Sequence, residues 1–190
     1  MLDAHAEGLV VGKDEEKMGQ RGSATNELAL SDVRIPVDQL IGIEGRGQEN
    51  ALETLNVGRA GLAVTCTGLM QEVVADLREA FADDAQGPTS EQLLDLGKIA
   101  LDLVTSEALG WQLVGRFDHP DTRSVRMESA LAKAFNTEAY HRVLTRAERV
   151  LGQAFVLDDQ EMEKRRRDAR VLTIYEGTSE IQRFLLLRDL

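Results

Sequence analysis

Glu176 comes nearest to chemistry in this sequence, because it precedes the pair Gly177-Thr178, which is typical of a helix start. The first backbone N–H groups of a helix have no partner within the helix, so they stabilise negative charge nearby. Apolar neighbours on the Ile174 side could also desolvate the carboxylate. A carboxylate at such a boundary can be a general base or a surface partner of the helix dipole, and the spacing alone favours the second.

The other candidate ligands and nucleophiles give weaker signals. His5, His119 and His141 lie far apart, and Glu138 three residues before His141 is a common surface pair rather than a metal motif. Cys66 lies on an apolar helical face, which favours a small buried hydrophobe over a reactive thiol. The sequence therefore predicts no metal site and no thiol chemistry.

The basic run Lys164–Arg167 could in principle contact phosphate. Acidic residues flank it on both sides, which favours a solvated and locally neutralised surface. The net charge of −11 argues against a general nucleic-acid binder, and the sequence contains neither GxGxxG nor GxxxxGK[ST]. No apolar run approaches the ~20 residues that cross a bilayer, and the start lacks a secretory pattern, so we expect a cytoplasmic location.

The chain of 190 residues is long enough for one domain and a piece of another, and 43% hydrophobic residues allow a core. Residues 1–45 are rich in glycine, and the short runs Leu9–Val11, Glu27–Leu30 and Val33–Ile35 are typical of strands. So few strands do not form a stable sheet alone, so residues 1–45 are interpreted as the tail of a β-domain.

Residues 46–190 have the period of helices and are predicted to form a C-terminal helical bundle. Thr89 and Gln92 have the spacing of a capping box at the start of the second helix. The residues expected to be buried on the first helix are Leu62, Cys66, Leu69, Val73 and Leu77. Those expected on the second are Leu93, Leu96, Ala100, Val104, Trp111 and Val114. Those expected on the third are Met127, Leu131, Phe135, Tyr140, Val143, Ala147 and Leu151.

A shorter last helix is predicted after Gly177-Thr178, with Ile181, Leu185 and Leu186 on it. The stretch Val171–Tyr175 before it could be extended or a buried turn. The predicted fold class is mainly α: an antiparallel four-helix bundle preceded by a short remnant of a β-domain.

The segment Tyr175–Arg183, with Arg167-Asp168-Ala169-Arg170 before it, resembles the C-terminal motif of the acyl-CoA dehydrogenase family. Lys17–Pro36 resembles the end of the family's β-domain, and Leu40–Gly47 resembles its entry into the C-terminal bundle. Asn56–Ala63 is similar to the first bundle helix, especially in the very-long-chain branch. These motifs occur in the family's order over nearly the whole chain.

This resemblance implies an activity and a set of site residues. Glu176 would remove the α-proton of an acyl-CoA thioester, and the β-hydrogen would leave as hydride to FAD, giving a 2-enoyl-CoA. Arg59 matches the arginine near the base and the substrate, while Thr178 and Glu180 match positions that contact the flavin. The cofactor supplies the redox chemistry and the protein supplies the geometry.

Two positions depart from the family pattern, both where the family contacts the FAD of a neighbouring subunit. Asp84 falls near a family arginine, and an aspartate repels a pyrophosphate. Gln153 falls in a glycine-rich turn, where its side chain would obstruct a close backbone approach. The family's N-terminal helical domain and first strands also have no counterpart here. We therefore expect weakened FAD binding and no activity from these residues alone.

Two functions follow from these observations. The first is the C-terminal part of an FAD-dependent acyl-CoA dehydrogenase, acting in a homo-oligomer or with a partner chain that supplies the missing domains. The alternative is a non-catalytic interaction or assembly module of the same fold, which the departures at Asp84 and Gln153 favour and the intact Tyr175–Thr178 motif opposes.

Overall fold

The computed structural model describes residues 2–82, 86–117, 119, 124–157 and 161–189. The chain divides into two compact units, Met1–Thr54 and Leu55–Leu190, so the division falls inside the first long helix. The boundary between the β-domain tail and the helical bundle, placed near residue 45, stays a prediction drawn from the change of sequence pattern alone.

The first unit contains an antiparallel hairpin of β1 (Leu9–Asp14) and β2 (Asn26–Leu30). Leu9 pairs with Leu30, and the register shifts between Val11 and Asp14. The two strands expected in these places are confirmed. Val33–Ile35, which was also expected to be strand-like, forms no strand, and a short 3-10 helix at Val37–Gln39 follows it.

Five α-helices account for most of the described chain, and their bounds are α1 (Gly47–Ala80), α2 (Ser90–Phe117), α3 (Arg126–Leu151), α4 (Met162–Ala169) and α5 (Ser179–Asp189). The capping box before α2 forms as predicted: the Thr89 N–H donates to Gln92 Oε1 at 2.8 Å, and the Gln92 N–H donates to Thr89 Oγ1 at 3.3 Å. Val171–Tyr175 is not extended, because a 3-10 helix spans Arg170–Thr173.

The helix α4 was not predicted, because its sequence is almost entirely charged. It forms because Met162 and Ala169 are buried at its two ends, while its lysine and arginine side chains pair with carboxylates. The basic run pairs side by side with acids, as Lys164 with Asp168, Arg165 with Asp76, Arg166 with Glu148 and Arg167 with Glu163. The run is therefore neutralised where it stands.

The polar contacts between α2 and α3 show that these helices run antiparallel. Asp102 pairs with Arg142 at 2.7 Å, whereas Arg116, further along α2, pairs with Glu128 near the start of α3 at 2.8 Å. The main core lies between α1, α3 and the segments after α3, and its largest members include Met70, Tyr140, Leu144, Phe155 and Met162.

The predicted buried face of α2 is wrong. Leu93, Val104, Trp111 and Val114 are exposed, Trp111 to 76%, Ala100 is also exposed, and Leu96 is only partly buried. The buried residues are instead Asp95, Ile99, Asp102, Ser106, Gly110 and Leu113. Helix α2 has two faces that could be buried. The face that carries Asp102 and small residues packs on α3, because Arg142 and Arg146 of α3 pair with the Asp102 carboxylate.

Helix α3 follows its predicted face in part. Tyr140, Val143 and Ala147 are buried as expected, but Met127 and Leu131 are exposed.

No helix in the described part of the chain combines the length and the hydropathy that a membrane crossing needs.

Candidate active site

The turn that carries Glu176 has an unusual backbone conformation. Glu176 has a φ of 57° and Gly177 a φ of 89°, so two consecutive residues lie in the left-handed region between the 3-10 helix and α5. This conformation costs a non-glycine residue roughly 1–2 kcal/mol, and it persists only where surrounding contacts hold it. The contacts that hold this turn are therefore part of the site.

Three side chains from three helices donate to the carbonyls of this turn. From α1, Arg59 Nε donates to the Glu176 carbonyl at 3.1 Å. From α3, Lys133 Nζ donates to the Gly177 carbonyl at 2.7 Å. From α5, Gln182 Nε2 donates to both carbonyls at 3.0 Å. Together they fix the direction in which the Glu176 side chain leaves the backbone.

The carboxylate of Glu176 lies directly over Gly58 on α1. A Cβ at that position would stand 2.5 Å from Oε2 and 2.7 Å from Cδ of Glu176, so any larger residue there would displace this carboxylate. Oε2 is buried and accepts no hydrogen bond from any residue that the structure describes. A desolvated carboxylate oxygen with no partner of its own is able to accept a proton from a bound molecule.

Two buried cations surround this carboxylate without neutralising it by a hydrogen bond. Arg59 is 4% exposed, and burial lowers its pKa, while the charge of Glu176 acts in the opposite direction. Lys133 is 0% exposed, and burial likewise lowers its pKa. Arg59 and Lys133 donate their hydrogen bonds to the backbone carbonyls of the turn. Their positive charges therefore act on the Glu176 carboxylate, while its Oε2 atom stays able to accept a hydrogen bond.

Thr178 and Glu180 lie at the start of α5, on the same turn as Glu176. Thr178 caps the helix, since its Oγ1 accepts from the Ile181 N–H at 3.4 Å and its carbonyl accepts from the Gln182 N–H at 3.0 Å. Glu180 is exposed, and its own backbone N–H and the Thr178 hydroxyl lower its pKa. Both residues thus stand at the open end of α5.

The structure brings together Glu176, Arg59, Thr178 and Glu180, the four residues singled out by the resemblance. Sequence reasoning missed three further residues, namely Gly58, Lys133 and Gln182. Gly58 and Gln182 lie inside motifs that the resemblance covered, but nothing local marks their contact with Glu176. Lys133 had a signal that was overlooked: it interrupts the small, apolar stretch of residues 130–134 on a helix.

The two positions that depart from the family pattern lie elsewhere. Asp84 falls outside the described residues. Gln153 is exposed in a 3-10 helix, Gly152–Val156, that follows the end of α3, where Gly152 has a φ of 56°. Burial raises the pKa of the Cys66 thiol to about 12. Among the described residues, no three or more His, Cys, Asp or Glu side chains gather as metal ligands.

Comparison with known proteins gives a family match for most of the chain. The family model for the acyl-CoA dehydrogenase C-terminal domain matches residues 45–190. The mitochondrial short-chain specific acyl-CoA dehydrogenase of Homo sapiens is 35% identical over 187 residues, covering 94% of this chain and 44% of that protein. The CarC subunit of the caffeyl-CoA reductase–Etf complex of Acetobacterium woodii is 28% identical, covering 98% and 50%.

Solved structures give the same assignment. Butyryl-CoA dehydrogenase from Megasphaera elsdenii superposes with a TM-score of 0.90 at 27% identity, covering 99% of this chain and 50% of that one. The chain thus spans about half the length of the relatives that it matches. On the match to residues 45–190, the chain belongs to the acyl-CoA dehydrogenase C-terminal domain family.

Proposed function

We propose that this chain supplies the proton-abstracting part of an acyl-CoA dehydrogenase, with Glu176 as the base. The observation that carries the proposal is the carboxylate of Glu176, which is held over Gly58 by a clamped turn while Oε2 has no partner among the described residues. The reaction removes the α-proton of an acyl-CoA thioester to the Glu176 carboxylate, removes the β-hydrogen as hydride to an acceptor, and leaves a 2-enoyl-CoA.

The chain's own residues account for the proton half of this reaction. An α-proton is weakly acidic, so its removal requires a base that is held in position and kept from water. Arg59 serves in our proposal as a positioning residue, because it contacts the base through the Glu176 carbonyl and carries charge beside the carboxylate. The left-handed turn orients the side chain, and Gly58 supplies the space that it occupies.

FAD is the proposed cofactor, and it accepts the β-hydrogen when bound. The start of α5 fits one edge of such a site: Ser179 Oγ is buried without a partner among the described residues, and Thr178 and Glu180 stand beside it. Thr178 and Glu180 would hold the cofactor there through the helix end. Gln153 is exposed at the position of the family's glycine-rich turn. We therefore still expect weakened contacts with the FAD of a neighbouring subunit.

The parts of the relatives that this chain does not match, about half their length, are needed for a complete site in this proposal. We therefore expect that these 190 residues alone do not turn over acyl-CoA. Activity belongs to what we call the native preparation, which is this chain tagged and purified from its own cells with any chain that accompanies it.

The substrate proposed first is a short-chain acyl-CoA. Two of the relatives reported above carry the names short-chain specific acyl-CoA dehydrogenase and butyryl-CoA dehydrogenase. The very-long-chain branch expected from Asn56–Ala63 is not the one that these names favour. The cytoplasmic location also stays a prediction, since the human relative is named as mitochondrial.

The test separates the proton step from the redox step. The native preparation is incubated with butyryl-CoA in deuterated water, and deuterium at the α-carbon is followed by mass spectrometry. Enoyl-CoA formed with an artificial electron acceptor is followed in parallel, and a visible spectrum reports flavin. We expect α-deuteration, enoyl-CoA and a flavin band. A preparation that neither deuterates nor oxidises any acyl-CoA from four to sixteen carbons would overturn the proposal.

An assembly module remains the second candidate, favoured by one surface. The stripe Leu94, Leu101, Val104 and Trp111 on α2 is exposed, with Trp111 at its end. Apolar residues aligned on one helix face are typical of surfaces that become buried on association. We propose that this stripe is covered in a homo-oligomer or by a partner chain, and light scattering after gel filtration tests it. A monomeric native preparation with unchanged Trp111 fluorescence on dilution would contradict it.

A further inference from the structure

Lys133 is a buried cation whose position the reaction chemistry above does not explain. Its side chain is 0% exposed, on the face of α3 that packs toward α1 and the turn before α5. An isolated charge in a protein interior costs several kcal/mol unless it is paired and hydrogen-bonded. A lysine at this place therefore lowers the stability of the fold relative to an apolar side chain of similar size.

The contacts of Lys133 point to a single purpose. Its ammonium group donates to the Gly177 carbonyl at 2.7 Å, and no salt bridge with a carboxylate is found for it in the described part of the chain. The groups whose charges act on the pKa of Lys133 are the Cys66 thiol, Arg59, Glu138 and Glu176. Among the described residues, the one atom to which its ammonium group donates a hydrogen bond is the Gly177 carbonyl oxygen, next to the proposed base.

The position of that carbonyl matters because of the backbone there. Glu176 and Gly177 are consecutive left-handed residues, so their two peptide planes are turned away from the regular arrangement. Gln182 donates to the same Gly177 carbonyl at 3.0 Å, and a Cβ on Gly177 would stand 2.7 Å from Gln182 Nε2. Two side-chain donors thus converge on the one carbonyl oxygen of Gly177.

We propose that Lys133 is a positioning residue that locks the Glu176–Gly177 turn through the Gly177 carbonyl, so that the Glu176 carboxylate points at the substrate. The inference rests on the proposed function for its effect on turnover, but the locking of the turn can be measured without turnover. Lys133 acts through the backbone and does not touch substrate, so it determines the rate of the proton step and leaves substrate affinity largely unchanged.

The first measurement is hydrogen–deuterium exchange by mass spectrometry on the native preparation. Lys133→Met keeps an unbranched side chain that is one atom shorter, and it removes both donor and charge. We expect the amides of residues 174–182 to exchange at least ~10-fold faster in this variant, with the amides of α2 unchanged. The matched control is Lys98→Met, since Lys98 is an exposed lysine on α2 paired with Asp95 at 3.5 Å, and it should leave both regions as in wild type.

The second measurement is steady-state kinetics with butyryl-CoA. For Lys133→Met we expect kcat to fall at least ~10-fold with KM within about threefold, which is the pattern of a misplaced base. Lys133→Gln is the second variant, because its shorter amide keeps an N–H donor without the charge. Its exchange at 174–182 and its kcat should lie between those of wild type and Lys133→Met.

Three outcomes overturn the proposal: equal exchange at 174–182 in wild type and both variants, faster exchange spread evenly over the bundle, or a KM effect that accounts for the loss of kcat/KM. If the wild-type preparation shows no turnover but the turn loosens as expected in the variants, the proposed function fails and the positioning role of Lys133 stands.

Discussion

Two of the described regions of the second unit contain buried charged side chains whose hydrogen-bond partners differ in kind. Between α2 and α3, the carboxylate of Asp102 accepts from Arg142 at 2.7 Å and also from Arg146. At the start of α5, Arg59 and Lys133 donate to backbone carbonyls, and Oε2 of Glu176 has no partner among the described residues. The first region neutralises its carboxylate; the second keeps one available.

This difference separates stabilisation from chemistry. A carboxylate whose oxygens accept from two guanidinium groups ties two helices together, and its lone pairs are occupied. A carboxylate with a buried oxygen that has no hydrogen-bond partner keeps a lone pair for a proton from a bound molecule. The same residue types therefore serve two purposes, and the hydrogen-bond partners tell them apart.

The largest expected effect comes from removing the free carboxylate. Glu176→Gln keeps the size of the side chain but cannot take up the α-proton, so turnover of butyryl-CoA by the native preparation should fall about 10³-fold or more. The midpoint of thermal unfolding should stay close to that of wild type, since Oε2 makes no hydrogen bond to lose in the described structure. Enoyl-CoA formation and differential scanning calorimetry measure the two quantities.

Glu72→Gln is the control for this substitution, because Glu72 is an exposed carboxylate on α1. It should leave turnover unchanged. Retention of more than a tenth of wild-type turnover in Glu176→Gln would contradict the contrast between the two regions, since another group would then be the base.

The second effect tests the space beneath the base. In Gly58→Ala the new methyl group would lie 2.5 Å from Glu176 Oε2, so the carboxylate has to move. A displacement on the order of 1 Å is expected to lower turnover by ~10²-fold. The helix itself gains from alanine, by about 0.5–1 kcal/mol, so the loss of activity should come without loss of stability.

Gly61→Ala is the matched control on the same helix, one turn further along. Nothing described lies within 4 Å of a Cβ at Gly61. We expect unchanged turnover and a midpoint of unfolding raised by roughly 2–4 °C for each kcal/mol of helix stabilisation. Equal activity in the two alanine variants would show that Gly58 does not confine the base.

The third effect is on stability and belongs to the other region. Asp102→Asn leaves Arg142 and Arg146 without a charged partner across α2 and α3. Because both guanidinium groups are partly exposed, we expect a loss of about 2 kcal/mol in the free energy of unfolding, less than for a fully buried pair. Urea unfolding followed by circular dichroism measures it, while turnover per folded molecule should stay unchanged.

Asp95→Asn is the comparison for this loss, because Asp95 is also on the buried side of α2 but pairs, within the described part of the chain, with the exposed Lys98 alone. It should cost no more than about 0.5 kcal/mol. If both asparagine variants cost the same, the Arg142–Asp102–Arg146 cluster does not stabilise the α2–α3 contact as argued.

The sequence predicted the strands at β1 and β2, the three long helices, the capping box at Thr89 and the place of Glu176 before a helix. These features depend on local pattern, which is visible in the residues themselves. It placed the wrong face of α2 in the core because α2 has two stripes, and the choice between them is made by Arg142 and Arg146, some forty residues later.

The same limit explains what was missed at the site. Lys133 meets the Gly177 carbonyl across a separation of 44 residues, and no periodic pattern encodes that contact. The family motif identified Glu176 and Arg59, but the role of Gly58 appears only when α1 passes beneath the turn. Motifs therefore point to the proposed base, and the three-dimensional structure shows which residues lie against it.

The smallest expected effect concerns His141, which follows neither pattern of the two regions. Its Nε2 is buried and has no partner among the described residues. Burial lowers the pKa of His141, and nearby Arg170 and Arg166 lower it further, while a backbone hydrogen bond to Ala169 and the charge of Glu138 act in the opposite direction. In the unfolded chain a histidine titrates near 6.5, so below that pH the unfolded state binds more protons than the folded state.

The stability that depends on neutral His141 is therefore fully present above about pH 6.5 and is lost as the pH falls toward the lower folded-state pKa. We expect the free energy of unfolding to drop more steeply between pH 7.5 and pH 5.5 in wild type than in His141→Gln. His5→Gln, at an exposed position in the first unit, should keep the wild-type slope. Parallel slopes in wild type and His141→Gln would mean that the imidazole is satisfied in both charge states, as a group with a free path to water would be.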